Sequence, residues 1–374
     1  MQVTTIGLDI AKRVFQIHGI DGAGTVVVRR RLRRSELLQF FAQLAPCLIG
    51  IEACATAHHW ARELMALGHQ VRLVPPSYVK AYLKRGKNDA ADAEAICEAV
   101  TRPNMRFVPV KSTEQQGVLV LHRARELVVR QRTMLVNGLR AHMAEFGIVV
   151  PQGIQRLPEL VALLEDGRTD IPQIAREALA AMVVQINNLT TSIRQMERRI
   201  VAWCRANASA RRLATITGVG PITASALAAT ITDPTLFRSG RHLAAWLGLV
   251  PRQHSTGGKA KLGRITKMGD QYLRKLLIVG MTAVIRSARR TKAPAFAWVN
   301  ALLERRPARL VSVALANKAA RIAWAILIRG ETLPGADDHE GSRMTNNDRS
   351  RLLTASRSLA TALFGSALAR GLLH

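Results

Sequence analysis

Thr4-Thr5-Ile6-Gly7-Leu8-Asp9-Ile10 is an apolar run broken by a single carboxylate. It reads as a buried strand, and an ionised side chain inside such a strand is costly unless it meets a cation or lies at the strand's end. Val14 to Ile20 and Thr25 to Arg31 follow as two more strands around the turn Asp21-Gly22-Ala23-Gly24, which makes a three-strand meander. Arg34 to Ala45 predicts a helix and Cys47 to Glu52 a strand. His58 to Leu67 predicts a second helix ending at Gly68, and Val71 to Val74 a fifth strand stopped by Pro75-Pro76. Three meandering strands followed by alternating helix and strand define a mixed α/β domain over residues 1–110.

Three further carboxylates stand out beside Asp9. Glu52 closes the apolar strand Leu48-Ile49-Gly50-Ile51-Glu52. Asp89 and Asp92 lie three apart at the start of a helical stretch and share nearly one face. Where the first and fourth strands are neighbours, the four converge. Hard oxygen donors of this kind suit Mg²⁺ or Mn²⁺, and such ions assist phosphodiester cleavage. A plainer reading treats Asp89 and Asp92 as favourable charges in a helix's first turn and Glu52 as a solvated strand end. Asp9 has no comparable plain account.

The chain of 374 residues carries a net charge of +28, with 48% hydrophobic residues. That hydrophobic content implies folded domains, and the cationic excess implies a polyanionic partner, because Lys and Arg that neutralise phosphates release condensed counterions. Aromatic residues make up only 4%, too few for base stacking to dominate binding. Cys47, Cys54, Cys97 and Cys204 form no metal-like pair and are expected as reduced core residues of a cytoplasmic protein. Nothing at Met1 resembles a secretory signal, and the apolar run Leu276 to Ile285 falls far short of a membrane span.

Residues 111–212 show no strand signal. Leu179, Met182, Ile186, Leu189, Ile193, Met196, Ile200 and Trp203 alternate in steps of three and four, an a/d stripe that predicts a coiled coil or long helical hairpin. A homodimer or larger assembly through that stripe is the working expectation. Residues 213–332 read as a basic, all-α domain. In it, Ile216-Thr217-Gly218-Val219-Gly220-Pro221-Ile222 resembles a helix-hairpin-helix element in which Gly218 and Gly220 let a phosphate approach the next helix; a purely structural turn is the alternative. Gly248 to Asp270 mixes small hydroxyls and glycines with Arg252, Lys259, Lys261, Arg264 and Lys267, and the helix Tyr272 to Arg290 adds Arg274 and Lys275. Taken alone, this loop suits phosphate binding, or a Ser or Thr nucleophile flanked by cations. Residues 333–374 form a polar tail with no assigned chemistry.

Ile6-Gly7-Leu8-Asp9-Ile10-Ala11-Lys12, Gly50-Ile51-Glu52-Ala53-Cys54, Lys87-Asn88-Asp89-Ala90-Ala91-Asp92-Ala93 and the string from Gly248 to Leu277 together resemble the DEDD transposases of the insertion sequence 110 family, in particular its insertion sequence 1111 subgroup. The resemblance implies a ribonuclease-H-like (RuvC-like) N-terminal domain, a connecting coiled coil and a C-terminal transposase domain with a nucleophilic serine. It implies recombination of element and target DNA directed by a structured non-coding bridge RNA. Asp9, Glu52, Asp89 and Asp92 match the family's four acidic positions one by one, and imply Mg²⁺ bound in a composite site with a partner subunit's serine domain. The serine would attack a backbone phosphate and become joined to the DNA. The chain departs from the pattern at Ser255-Thr256-Gly257-Gly258: counting from Pro251 puts Thr256 in register with the family serine, whereas hydroxyl chemistry favours Ser255. Ser255 is taken as the nucleophile, with Thr256 as the alternative. Two other functions fit parts of the chain. A RuvC-like junction endonuclease would use metal-activated water and leave no protein on DNA. An actin-like ATPase or sugar kinase would need a nucleotide loop in a second α/β domain, which the helical C-terminal half does not supply.

Overall fold

The computed structural model describes residues 2–83, 89–166, 169–256, 259–291 and 296–332; the side chains of residues 89, 255 and 259–261, the Lys87-Asn88 and Gly257-Gly258 steps of the motifs, and the tail fall outside that description. The chain divides into two compact units, Met1–Thr113 and Glu114–His374.

The first unit is a five-stranded sheet in the order β3-β2-β1-β4-β5, from β1 (Thr5–Ile10), β2 (Val14–Ile20), β3 (Val26–Arg33), β4 (Leu48–Glu52) and β5 (Gln70–Val74). β1, β2 and β3 are antiparallel; β4 and β5 continue the sheet in parallel beyond β1. Helices α1 (Leu37–Ala42) and α2 (Ala57–Ala66) join the strands, followed by the single turn α3 (Pro76–Val79) and by α4 (Asp89–Val100). Ile6, Leu8, Ile49 and Ile51 are fully buried and pack with Leu37, Phe41, Trp60 and Leu64 of α1 and α2. Alternate residues of β1 therefore face α4, and a strand covered on both sides reads as a continuous apolar run.

That second face has an unusual contact. Gly7 of β1 and Gly50 of β4 are register partners. A Cβ on Gly7 would lie 2.0 Å from the Ala93 carbonyl oxygen, and one on Gly50 would lie 2.8 Å from Val100 Cβ. The paired glycines form a side-chain-free saddle on which α4 rests directly, with Ala93, Ile96, Cys97 and Val100 buried against it. Cys97 of α4 sits over Thr5, its thiol directed at the Thr5 carbonyl at 3.9 Å, and Ala93 sits over Gly7, so α4 runs antiparallel to β1.

The second unit begins with α5 (Thr113–Ala144), continues through α6 (Leu157–Glu165) and returns along α7 (Gln173–Ala206). α5 and α7 form an antiparallel pair within the chain: Trp203 Nε1 donates to Glu114 Oε1 at 2.7 Å, Arg125 pairs with Glu197, and Met182 packs against Gly138. Leu179, Ile186, Ile193 and Ile200 of the a/d stripe are buried, and Leu179 and Ile186 share a cluster with Val136, Leu139 and Met143 of α5. The hairpin form of the expectation describes this stripe, since the seam finds its partner helix in the same chain.

The remainder comprises α8 (Ala208–Ala214), α9 (Pro221–Thr230), α10 (Gly240–Trp246), α11 (Gln271–Thr291), α12 (Ala297–Arg305) and α13 (Ala308–Arg329) around one apolar cluster. The all-α expectation needs correction here. Between α10 and α11 stand two antiparallel strands, β6 (Pro251–Thr256) and β7 (Lys259–Ile265). Polar residues dominate both strands and the described side chains are nearly all exposed, so no apolar alternation betrays them. The reduced-core expectation also fails for one cysteine, because Cys54 is exposed while the other three are buried. One helix, α13, is long and apolar enough to cross a membrane by length and composition. Its Val311, Leu315, Ala316, Ala319, Ala320, Ala323 and Ile326 are buried in the cluster, the ordinary environment of a core helix.

Candidate active site

The first unit carries the acidic centre. Parallel pairing of Gly7 with Gly50 and Leu8 with Ile51 makes Asp9 and Glu52 the next neighbours across β1 and β4. Both stand at the C-terminal ends of their strands, where open α/β sheets bind ligands. The same Gly-x-acid spacing occurs in each strand: Gly7-Leu8-Asp9 and Gly50-Ile51-Glu52. With a strand period of two, each glycine and its carboxylate share the face toward α4. Chain reversal follows at once, with Cys54 N–H donating to the Glu52 carbonyl at 2.8 Å and Thr56 at φ 72°. The Cys54 thiol is held above its ordinary pKa by burial, then by the negative charges of Glu52 and Asp9. One thiol therefore senses both carboxylates.

α4 brings the other two acids toward this point. From Ala93 over Gly7, one helical turn back covers ~6 Å at 1.5 Å per residue, and two strand residues forward cover ~6.6 Å. The first turn of α4, which holds Asp89 and Asp92, thus comes level with Asp9. Stepping back three or four residues from Ala93 and Ile96 lands on Asp89 and Asp92, so both positions extend the sheet-facing stripe. Asp9, Glu52 and Asp92 are all among the described residues, yet no three His, Cys, Asp or Glu side chains there are grouped closely enough to hold an ion, so Asp92 is not brought into a group with Asp9 and Glu52; the Asp89 side chain lies outside the description. The geometry brings Asp9 and Glu52 together and sets the α4 turn at their level. The Gly7/Gly50 pair that fixes this arrangement was the missed element, and its signal was the repeated Gly-x-acid spacing.

In the second unit, Gly218 has φ +83°. A Cβ on it would come within 2.7 Å of Met281 and Val284, and a Cβ on Gly280 would lie 2.0 Å from the Gly218 carbonyl oxygen. Gly218 therefore serves helix packing against α11. Gly220 is exposed at the N-cap of α9, with Pro221 opening the helix. Ser255 is the register partner of Ala260 across the two-stranded ribbon, and Thr256 is exposed. Arg252, Arg264 and Lys267 are exposed. Lys275 pairs with Glu126 at 3.0 Å. Arg274 departs from the expected phosphate-tracking face: it is buried and donates to the carbonyls of Leu247 at 2.9 Å and Met268 at 2.7 Å. With its guanidinium committed to main chain at the ribbon's stem, Arg274 is a structural clasp.

A buried polar network supports this half of the chain. Ser225 Oγ donates to the Pro221 carbonyl at 2.7 Å, so it accepts from His122 Nε2 at 3.0 Å, and His122 Nδ1 accepts from the Tyr272 hydroxyl at 3.0 Å. This neutral tautomer ties α5 to α9 and α11. Burial, with the Arg125 charge adding to it, lowers the His122 pKa to about 4. An unfolded chain, in which His titrates near ~6.5, takes up this proton more readily than the folded one. The stabilisation is therefore present above ~6.5 and lost as pH falls toward 4, at a cost of roughly 2–3 kcal/mol by pH 4.5. Denaturant midpoints at pH 7 and pH 4.5 should shift more in the wild type than in His122→Gln; equal shifts would remove His122 as the cause.

Comparison with known proteins finds matches in both the N-terminal and the C-terminal part of the chain. The model of the "Transposase IS116/IS110/IS902 family" matches residues 210–296. A DEDD transposase model of the IS110 group matches residues 6–148. The "Probable family 20 transposase" of Pseudomonas aeruginosa is 50% identical over 88% of this chain and 98% of its own length. The "Transposase for insertion sequence element IS1328" of Yersinia enterocolitica is 40% identical over the same shares, 88% and 98%. The "Transposase for insertion sequence element IS1111A" of Coxiella burnetii is 39% identical over 88% of this chain and 91% of its own length. With both halves matched and identities of this size across nearly whole relatives, the chain belongs to the IS110 family of transposases, enzymes that cut and rejoin DNA.

Proposed function

We propose that this transposase cuts DNA at a Mg²⁺ centre held by Asp9, Glu52, Asp89 and Asp92, with Ser255 as the nucleophile, and that a structured non-coding RNA guides it. The observation that carries the reading is the side-by-side placement of Asp9 and Glu52 at the ends of β1 and β4. Dependence on a divalent metal is a property of the DEDD family. The donors here are hard oxygens suited to Mg²⁺ or Mn²⁺. When bound, such an ion supplies positive charge and orientation at the scissile phosphate.

The chain's own residues supply the rest. Ser255 Oγ forms a bond to phosphorus as the bond from phosphorus to a deoxyribose oxygen breaks, and the serine proton ends on that leaving oxygen. A phosphodiester is exchanged for a phosphodiester, so rejoining is the same step in reverse. Exposed Arg252, Arg264 and Lys267, together with Lys259, Lys261 and Lys275 in the same stretch, provide positive charge for nucleic-acid phosphates. Gly220 at the open start of α9 offers a further backbone approach. The excess of +28 suits a protein that handles DNA and RNA together, working in the bacterial cytoplasm at the chromosome. Assembly into a dimer or larger complex rests on the composite site implied by the family, since the α7 stripe is covered within one chain.

Trapping the reaction and sequencing the DNA-linked peptide tests the nucleophile. The adduct is expected on Ser255, and Ser255→Ala should abolish both adduct and recombination. Full recombination by Ser255→Ala, with the adduct on Thr256, would move the role one residue. Cleavage with no adduct at all would favour the junction-endonuclease reading.

A further inference from the structure

The acidic centre is one end of a longer row. Asp9 on β1 is the register partner of Gln16 on β2, and Gln16 is the partner of Arg31 on β3. Two residues back, Gly7, His18 and Arg29 form the parallel row. Partners in register share a sheet face, so both rows face α4. Between α4 and the β2–β3 part of this face lies a cleft of about 400 Å³, lined by Gln16, His18, Arg29, Arg31, Ala91 and Glu94 among others.

The arginines of β3 divide by face. The Arg30 guanidinium lies 5.7 Å from the Phe40 ring centroid although Arg30 also borders the cleft, and Arg34, just after the strand, lies 4.9 Å from the Trp60 ring and outside the cleft. Arg29 and Arg31 are exposed, line the cleft, and make no ion pair or side-chain hydrogen bond among the described residues. Charged side chains on an edge strand also discourage strand addition from another molecule. That role would be met from either face and does not require a cleft beside the strand that carries Asp9.

We propose that this cleft holds the sugar–phosphate backbone of the DNA strand being cut, with Arg29 and Arg31 each contacting a phosphate beside the acidic centre. The proposal rests on the reading of Asp9 and Glu52 as that centre and adds the path of the substrate. Two inter-strand spacings separate the Asp9 and Arg31 strands, about 9.6 Å, or roughly three nucleotides at about 3.4 Å of axis each. Contacts to phosphates position the strand and carry no sequence information directly.

The test uses the full chain, a fluorescent duplex of about 20 bp and arbitrary sequence, and anisotropy titrations over a salt series without divalent ions. Each lost phosphate contact on duplex DNA reduces the slope of log K against log salt by about 0.9. Arg29→Gln/Arg31→Gln should therefore flatten the slope by about 1.8, whereas Arg29→Lys/Arg31→Lys keeps it. Arg34→Gln, which removes the contacts to the Phe15 and Trp60 rings outside the cleft, should lower the melting temperature and leave the slope alone. An unchanged slope in an Arg29→Gln/Arg31→Gln chain that melts like wild type overturns the proposal. So does an equal slope loss in Arg34→Gln, or a loss seen only with a duplex RNA of the same length. Binding to uncut DNA without metal does not depend on catalysis. Failure of the acidic centre would appear in cleavage assays, and failure of this path would appear in the slope.

Discussion

Asp9→Asn is expected to lower DNA strand cleavage by about three orders of magnitude or more, equivalent to ~4 kcal/mol of transition-state stabilisation. Asparagine preserves the size of the side chain and its place on β1. It removes the negative charge that, beside Glu52, would hold a divalent ion in the proposed centre. Two carboxylates directly opposite on neighbouring strands repel each other. Neutralising one relieves that repulsion, so the variant should melt no lower than wild type, and its affinity for duplex DNA should be unchanged. This combination separates loss of chemistry from loss of fold. Cleavage at the wild-type rate would remove Asp9 from the catalytic centre and with it the metal reading.

Gly7→Ala should be among the most destabilising single-methyl changes in the N-terminal unit. Its Cβ would sit 2.0 Å from the Ala93 carbonyl oxygen and 2.7 Å from Cys97 Cβ. Main chain of a helix cannot swing away as a flexible side chain does. Relief requires α4 to lift from the sheet, and overpacking of this kind costs about 1–3 kcal/mol or more. A fall in melting temperature of roughly 5–15 °C is expected for a unit of this size. α4 also carries Asp89 and Asp92, two of the four acids of the proposed centre, so lifting it should lower activity even at temperatures where the variant remains folded. Thermal melts and cleavage assays on Gly7→Ala check both effects. Gly24→Ala is the control: that glycine also lies in the first unit, and nothing lies within 4 Å of an added Cβ, so only its φ of +83° opposes the change.

The sheet was legible because its chemistry is local. Apolar runs broken by Asp21-Gly22-Ala23-Gly24 and by Pro75-Pro76 give β1 to β5 to within about two residues, the usual uncertainty of element ends. The carboxylates were legible because charge at the end of an apolar strand is conspicuous. The support beneath them was harder to see, since a glycine required for helix contact looks like any other glycine until its partner strand is known. β6 and β7 escaped for the opposite reason. Arg252, Gln253, His254 and Thr256 are exposed, so no alternation marked them, although Gly257-Gly258 between two β-compatible runs was a usable hairpin signal. Arg274 looked like its cationic neighbours, and only its two carbonyl partners reveal its role. The a/d stripe of α7 was read correctly as a seam, but periodicity does not say whether the facing helix belongs to the same molecule.

The ribbon of β6 and β7 joins the helical core through Arg274, which grips main chain just before the first strand and just after the second. Beyond that clasp Leu262 is 64% exposed, so even the apolar side chain of β7 contributes little to the interior. Lengthening, shortening or recolouring the outer part of such an appendage leaves the stability of the core almost untouched. Selection is thus free to retune the segment that carries Ser255 toward new DNA ends, at little risk of unfolding the protein that carries it.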